Sequence, residues 1–117
     1  MLRIISLVVL ATLLVSATTA VGLLPTNLKI TIIDELGNVV EGATVKLYET
    51  EEDYRADENA SFGPALTNEK GIVKFKELKP ISYYIYVEKG DQRNDGAGVL
   101  TGELEEGKVN KVNVVIY

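Results

Sequence analysis

From Asn27 onward, apolar and polar positions alternate along the chain. Leu28, Ile30 and Ile32 alternate with Lys29, Thr31 and Ile33, and a period of two predicts a strand with one buried face. Asp34-Glu35-Leu36-Gly37-Asn38 closes that strand, since Gly37 and Asn38 both tolerate positive φ. Val39-Val40 begins the return, Gly42-Ala43 interrupts it, and Thr44–Glu49 continues with Val45 and Leu47 on one face. Residues 49–66 carry no such alternation and read as a long loop with room for a short helix. Thr50-x-x-Asp53 can cap one helical turn there, and Pro64 would end it. Thr67–Gly71 predicts a tight hairpin turn into Ile72–Lys76, and Leu78-Lys79-Pro80 a further corner. Ser82–Glu88 sets Tyr83, Ile85 and Val87 against Tyr84 and Tyr86. A Gly/Asp/Asn-rich loop at 90–98, a strand at Val99–Leu104 and a last strand at Lys108–Tyr117 complete the pattern. Six to seven short strands with turn signals between them predict an all-β fold, a sandwich or barrel of about seven strands.

The N-terminus breaks this pattern. One cation, Arg3, precedes an uncharged stretch from Ile4 to Leu24, followed within it by Ser16, Ala17, Thr18, Thr19 and Ala20. A basic start, an apolar centre and a small-residue exit describe a secretory signal over residues 1–20, cut after Ala17 or Ala20. The alternative is an uncleaved anchor over residues 4–24, close to the roughly 20 residues that span a bilayer. The folded domain is then expected over residues 27–117.

Composition narrows the chemistry. The chain has 117 residues with no Cys and no His. Without Cys there is no disulfide, no thiolate metal site, no cysteine nucleophile and no lipid-bearing Cys at a cleavage point. Without His the commonest general base and zinc ligand are gone. Twelve Lys and Arg face 17 Asp and Glu, a net charge of -5, which argues against nucleic acid as a partner. Removal of residues 1–20 takes only Arg3, leaving 11 cations against 17 anions and a net charge of -6.

Three spaced elements carry a family resemblance: Asp34-x-x-Gly37-Asn38-Val39-Val40-Glu41-Gly42-Ala43-Thr44-Val45, Thr67-Asn68-Glu69-Lys70-Gly71-Ile72-Val73-Lys74-Phe75, and Leu78-Lys79-Pro80 with Tyr83-x-Ile85-x-Val87. Over roughly residues 28–89 the chain resembles the carboxypeptidase regulatory-like domain. That resemblance implies a transthyretin-like (prealbumin-type) Greek-key β-sandwich. It also implies a small free-standing exported form, as in Bacteroidetes, placed in the periplasm, at the cell surface or secreted. The family usually has Gly where Ile81 stands and Gly-Tyr where Gly90-Asp91 stands, so these two loops depart from it. Transthyretin-like hydroxyisourate hydrolases depend on His, which this chain lacks. Pilin-type sandwiches with isopeptide bonds are also similar, but they usually place Lys where Ile32 stands; Lys29 with Asn113 or Asn110, and Glu77 as the acid, is the substitute set.

Two surfaces qualify as candidate sites. Tyr84 and Tyr86 point away from the expected core and Tyr48 joins them if its strand is adjacent, which would form a stripe suited to sugars or peptides; ordinary cross-strand pairing explains the same pattern. Glu51, Glu52 and Asp53 belong to an acidic run from Glu49 to Glu58 that reads as a cation or partner site, or as a solvated connection. Asp91-x-Arg93-Asn94-Asp95-Gly96 resembles half a calcium loop, yet Arg93 opposes a cation and a plain turn accounts for it. No Ser lies in a nucleophile elbow. The expectation is a non-catalytic exported β-sandwich module, acting in protein–protein interaction or structurally in the cell envelope. Its partner is expected to be an envelope or cell-surface protein, with no cofactor and no nucleic acid; a membrane enters only if the N-terminal segment stays uncleaved. The alternative is a ligand-binding domain for a divalent cation or a carbohydrate.

Overall fold

Alternating apolar residues commit two sheets to face each other. The computed structural model describes residues 24–95 and 99–117, so the signal or anchor expected over 1–24 lies almost wholly outside the described residues. The elements are β1 (Asn27–Asp34), β2 (Thr44–Tyr48), α1 (Glu51–Ala56), β3 (Phe62–Leu66), β4 (Ile72–Phe75), β5 (Tyr84–Lys89), β6 (Gln92–Arg93) and β7 (Val109–Ile116). One sheet runs β4-β1-β7 and the other β3-β2-β5-β6. The first and last strands are parallel, from Asn27 opposite Val109 to Asp34 opposite Ile116, while β1 and β4 are antiparallel. The result is the expected all-β Greek-key sandwich.

The predicted faces meet in its centre. Leu28, Ile30, Ile32, Val114 and Ile116 of one sheet and Val45, Leu47, Ile85 and Val87 of the other are all buried. Phe62 bridges the two layers, with its ring 6.0 Å from both Phe75 and Tyr83 in edge-on geometry, the arrangement ring quadrupoles favour. Leu78 and Leu104, from segments between the strands, are buried in the same core.

Three expectations are corrected. Residues 62–66 are not loop but strand β3, paired with β2 at the edge of its sheet. An edge is where Pro64, which has no N–H, can sit, and the register shifts between Val45 and Leu47. Gly63 lies at that irregularity, where a Cβ would come within 2.5 Å of the Val45 carbonyl. The Thr67–Gly71 turn is tight as predicted, with Asn68 Oδ1 accepting from the Lys70 and Ile72 amides. It does not close a hairpin, because β3 and β4 belong to different sheets. Gly71 makes this crossing possible, with φ of 74° and space for no Cβ, since one would meet the Ile32 carbonyl at 2.8 Å.

The third correction concerns Val99–Leu104, which forms no strand beyond a single bridge between Leu100 and Tyr84. The Ile85 amide donates to Val99 and the Thr101 amide to Tyr83, while Thr101 Oγ1 turns back to the Gly102 carbonyl. The segment therefore covers one half of β5 irregularly, and β6 with Asn94 covers the other half. The Asn110 side chain is held within the 105–110 turn by the Glu105 amide and carbonyl, and Lys29 stands opposite Lys74 and Lys111. Neither arrangement builds a cross-link between Lys29 and Asn110.

Candidate functional site

The outer face of the β3-β2-β5-β6 sheet gathers the predicted tyrosines. Register places Tyr48 opposite Tyr84 and Lys46 opposite Tyr86. Helix α1 packs over them, and Tyr54 is the residue that does so. Its ring stacks on Tyr84 at 5.8 Å and meets Tyr48 and Tyr86 edge-on at 6.1 and 6.4 Å. Four tyrosines thus form a second small cluster outside the main core, and Tyr48, only 1% exposed, is its floor. Tyr84 and Tyr86 are half-buried. Tyr54 carries no strand signal and was not singled out in the sequence; the Thr50 cap four residues earlier was the available clue.

Capping explains why so short a helix holds. Thr50 Oγ1 accepts from the Asp53 amide at 3.1 Å, as the sequence predicted. Glu51, Glu52 and Asp53 fill the first turn, where carboxylates favour the positive end of the helix, and Glu51 pairs with Arg55 at 2.6 Å. These three acids sit on the exposed or half-exposed side of α1. They share the helix with the tyrosine cluster rather than forming a separate loop. Asp57 ends the helix in the left-handed conformation.

Asp57 also locks the helix to the sheet. Its carboxylate accepts from Lys46 Nζ at 2.9 and 3.1 Å and from the Tyr48 hydroxyl. Those bonds, Tyr48 first and Lys46 next, hold the Asp57 carboxyl below its usual range. Burial, and then the bond to Asp57, pushes the Tyr48 phenol well above its usual range. Burial raises Tyr54 as well. Lys46 lies 5.0 Å from the centre of the Tyr86 ring, a cation–π distance. The Tyr86 hydroxyl donates to Glu88 at 2.7 Å and accepts from Arg93 at 3.2 Å. Burial first, and Glu88 second, pushes the Tyr86 phenol up to about 12.

Beside this cluster runs an open crevice of about 530 Å³, walled by Tyr54 and Tyr86 and rimmed by Arg55, Asp57, Glu88, Arg93 and Asp95. Aromatic walls with charges of both signs on the rim suit a polar partner surface. Asp95 is the one acid of the half calcium loop that reaches the crevice. Asn94 is spent elsewhere: buried, it accepts from the Val87 amide at 3.0 Å and donates to the Ile85 carbonyl at 2.8 Å. Among the described residues, no group of three or more acidic side chains is placed to hold a metal ion.

Comparison with known proteins places the chain. Residues 22–117 match the family described as DR_A0283-like, Ig-like domain, and the chain belongs to that family. A crystal structure of the major pilin subunit of Bacillus cereus shares the fold, with a TM-score of 0.50 and 15% identity. The match covers 78% of this chain and 29% of that one, so the chain spans less than a third of that pilin's length. A comparison with curated proteins finds no match. The β-sandwich implied by the turn motifs is therefore upheld as an Ig-like sandwich. Tyr83 fits that class, its buried hydroxyl accepting from the Lys79 amide four residues upstream, much as a tyrosine corner does.

Proposed function

We propose that the chain is a non-catalytic β-sandwich module of the cell envelope that contacts another protein through the crevice between α1 and the β5–β6 hairpin. Its membership of an Ig-like domain family over residues 22–117 carries this reading, because such sandwiches serve many proteins as structural and interaction units. The resemblance of its turn motifs to those of carboxypeptidase regulatory-like domains supports it. So does the similar fold of the major pilin subunit of Bacillus cereus. The apolar, uncharged stretch at 4–24 supports export beyond the inner membrane. The crevice suits a protein surface because Tyr54 and Tyr86 offer apolar area at low entropy cost and Arg55 and Arg93 add charged rims.

Pull-down from envelope extract tests the proposal when wild type and Tyr54→Ala are run side by side. A band held by wild type and lost from the variant is expected. Equal retention by both, or location of the chain in the cytoplasm, would overturn it. A second reading is favoured by the same aromatic walls, namely a carbohydrate stacked on Tyr54 and Tyr86. Thermal shift with an oligosaccharide panel decides that reading, and no shift at millimolar sugar rejects it.

A further inference from the structure

The opposite face of the sandwich has a different character. Lys29 of β1 stands directly opposite Lys74 of β4 on one side and Lys111 of β7 on the other. Three lysines therefore form a row straight across the β4-β1-β7 sheet. Like charges in directly opposed cross-strand positions are destabilising. Lys76 joins them at the rim of the same groove, about 450 Å³ in volume, with the exposed Val109 beside Lys111. The other cations are mostly neutralised: Lys46, Arg55, Lys79, Arg93 and Lys108 each pair with a carboxylate. Among the described residues none of the four lysines in the groove does. In a chain of net charge -5, this face keeps its positive charge uncompensated.

The row ends at an open edge. β7 lies outermost in its sheet and is eight residues long. The Asn27 amide donates to the Lys108 carbonyl, and parallel pairing then alternates, so even-numbered residues of β7 bond to β1. Val109, Lys111, Asn113 and Val115 direct their amides and carbonyls outward. Tyr117 continues this alternation, exchanging both its backbone bonds with Arg93 on the other sheet. The outward residues are also those whose side chains are exposed. A lysine on an edge strand is an ordinary guard against unwanted pairing. That explains Lys111 and Lys74, which stand on the two edge strands of this sheet. It does not explain Lys29 in the central strand between them.

We propose that the β7 edge takes up an extended segment of a partner protein that alternates acidic and aliphatic side chains. Such a strand would satisfy the outward amides and carbonyls from Val109 to Val115. An acid opposite Lys111 would turn the end of a repulsive row into a favourable cross-strand pair. The aliphatic side chains, on the other face of the added strand, would lie beside Val112 and Val114 and continue the layer that faces the core. A second copy paired through β7 would instead bring two lysine faces edge to edge. The inference rests on the chain being an interaction module, but not on the tyrosine crevice.

The test adds a capped decapeptide of alternating Glu and Val to the full chain and follows amide hydrogen exchange. The controls are the same peptide with a central Pro, and inorganic polyphosphate. The expected result is slowed exchange at Val109, Lys111, Asn113 and Val115, with binding at least tenfold weaker for the Pro peptide. Lys111→Glu should weaken binding at least tenfold while raising the melting temperature, because it relieves the repulsion with Lys29; a merely structural lysine would give no such opposition. Equal binding of the Pro peptide, or β7 protection by polyphosphate, overturns strand addition. Protection of β7 without peptide, in a concentration-dependent manner, assigns the edge to a second copy and overturns the proposal. Protection confined to α1 and β5 overturns it while leaving the crevice reading intact. No binding at millimolar peptide overturns it without touching the pull-down result.

Discussion

Replacing Tyr54 by Ala removes the one side chain that ties α1 to the sheet through three aromatic contacts. Each such pair is worth roughly 0.5–1.5 kcal/mol beyond area burial, and truncating a fully buried large aromatic costs about 3–5 kcal/mol. Tyr54 is half-buried, so about half that range, roughly 2 kcal/mol, is expected. For a domain of this size that corresponds to a fall in melting temperature of about 10 °C. Urea denaturation followed by circular dichroism measures it, with Tyr54→Phe as the control. That control should stay within about 0.5 kcal/mol of wild type, because it keeps all three ring contacts. The helix has six residues, and without Tyr54 the Asp57 bonds to Lys46 and Tyr48 hold only its C-terminal end. Rapid amide exchange at residues 51–56 should therefore accompany the loss of stability. A Tyr54→Ala protein within 0.5 kcal/mol of wild type, its helix still protected, would refute the role assigned to this ring.

Further outcomes follow from the same geometry. Tyr48→Phe removes the hydroxyl that donates to Asp57; bonds to charged groups are worth about 1.5–3 kcal/mol, and the Asp57 titration followed by carboxyl NMR should move back up. Because Asp57 is lowered from 3.8 in the folded state, its contribution is present above that value and is lost as pH falls through the folded pKa. Tyr86 is raised from 10.0 to about 12, so its contribution is complete below 10 and fades as pH climbs towards 12; stability should thus plateau between these limits in a pH series of urea melts. Asn94→Ala strips the Val87 amide and the Ile85 carbonyl of their buried partner, a cost of about 2–4 kcal/mol with faster exchange at Val87. Gly71→Ala must hold φ of 74° against the Ile32 carbonyl, and denaturation should show a loss of at least about 2 kcal/mol.

Where hydrophobic alternation was strong, the sequence was sufficient. β1, β5 and β7 and their buried faces follow from Leu28, Ile30, Ile32, Ile85, Val87, Val114 and Ile116, because period-two patterning leaves one register with the apolar side inward. β3 was hidden because Gly63 and Pro64 carry the signature of a loop, and only an edge position accepts them. The turn at Thr67–Gly71 was legible in its chemistry but not in its destination. Whether a tight turn closes a hairpin or crosses between layers depends on long-range pairing. Thr67 shows this well: its buried hydroxyl donates to the Val40 carbonyl and accepts from the Ala43 amide, contacts no local pattern announces. The site was half legible in the same way. Tyr84 and Tyr86 were visible through alternation and Thr50 through its cap, whereas the meeting of Tyr54 with them is a tertiary fact. Asn94, read as a turn residue, substitutes for a strand partner of β5.

The claim that the chain works by contacting a protein partner in the envelope is tested most directly by photo-crosslinking in living cells. A photoreactive residue placed at Arg55, on the rim of the crevice, should give one discrete adduct in the envelope fraction. The same probe in a Tyr54→Ala background should lose that adduct. No adduct from Arg55 in cells that express the folded chain, or an adduct that survives Tyr54→Ala unchanged, would contradict the account.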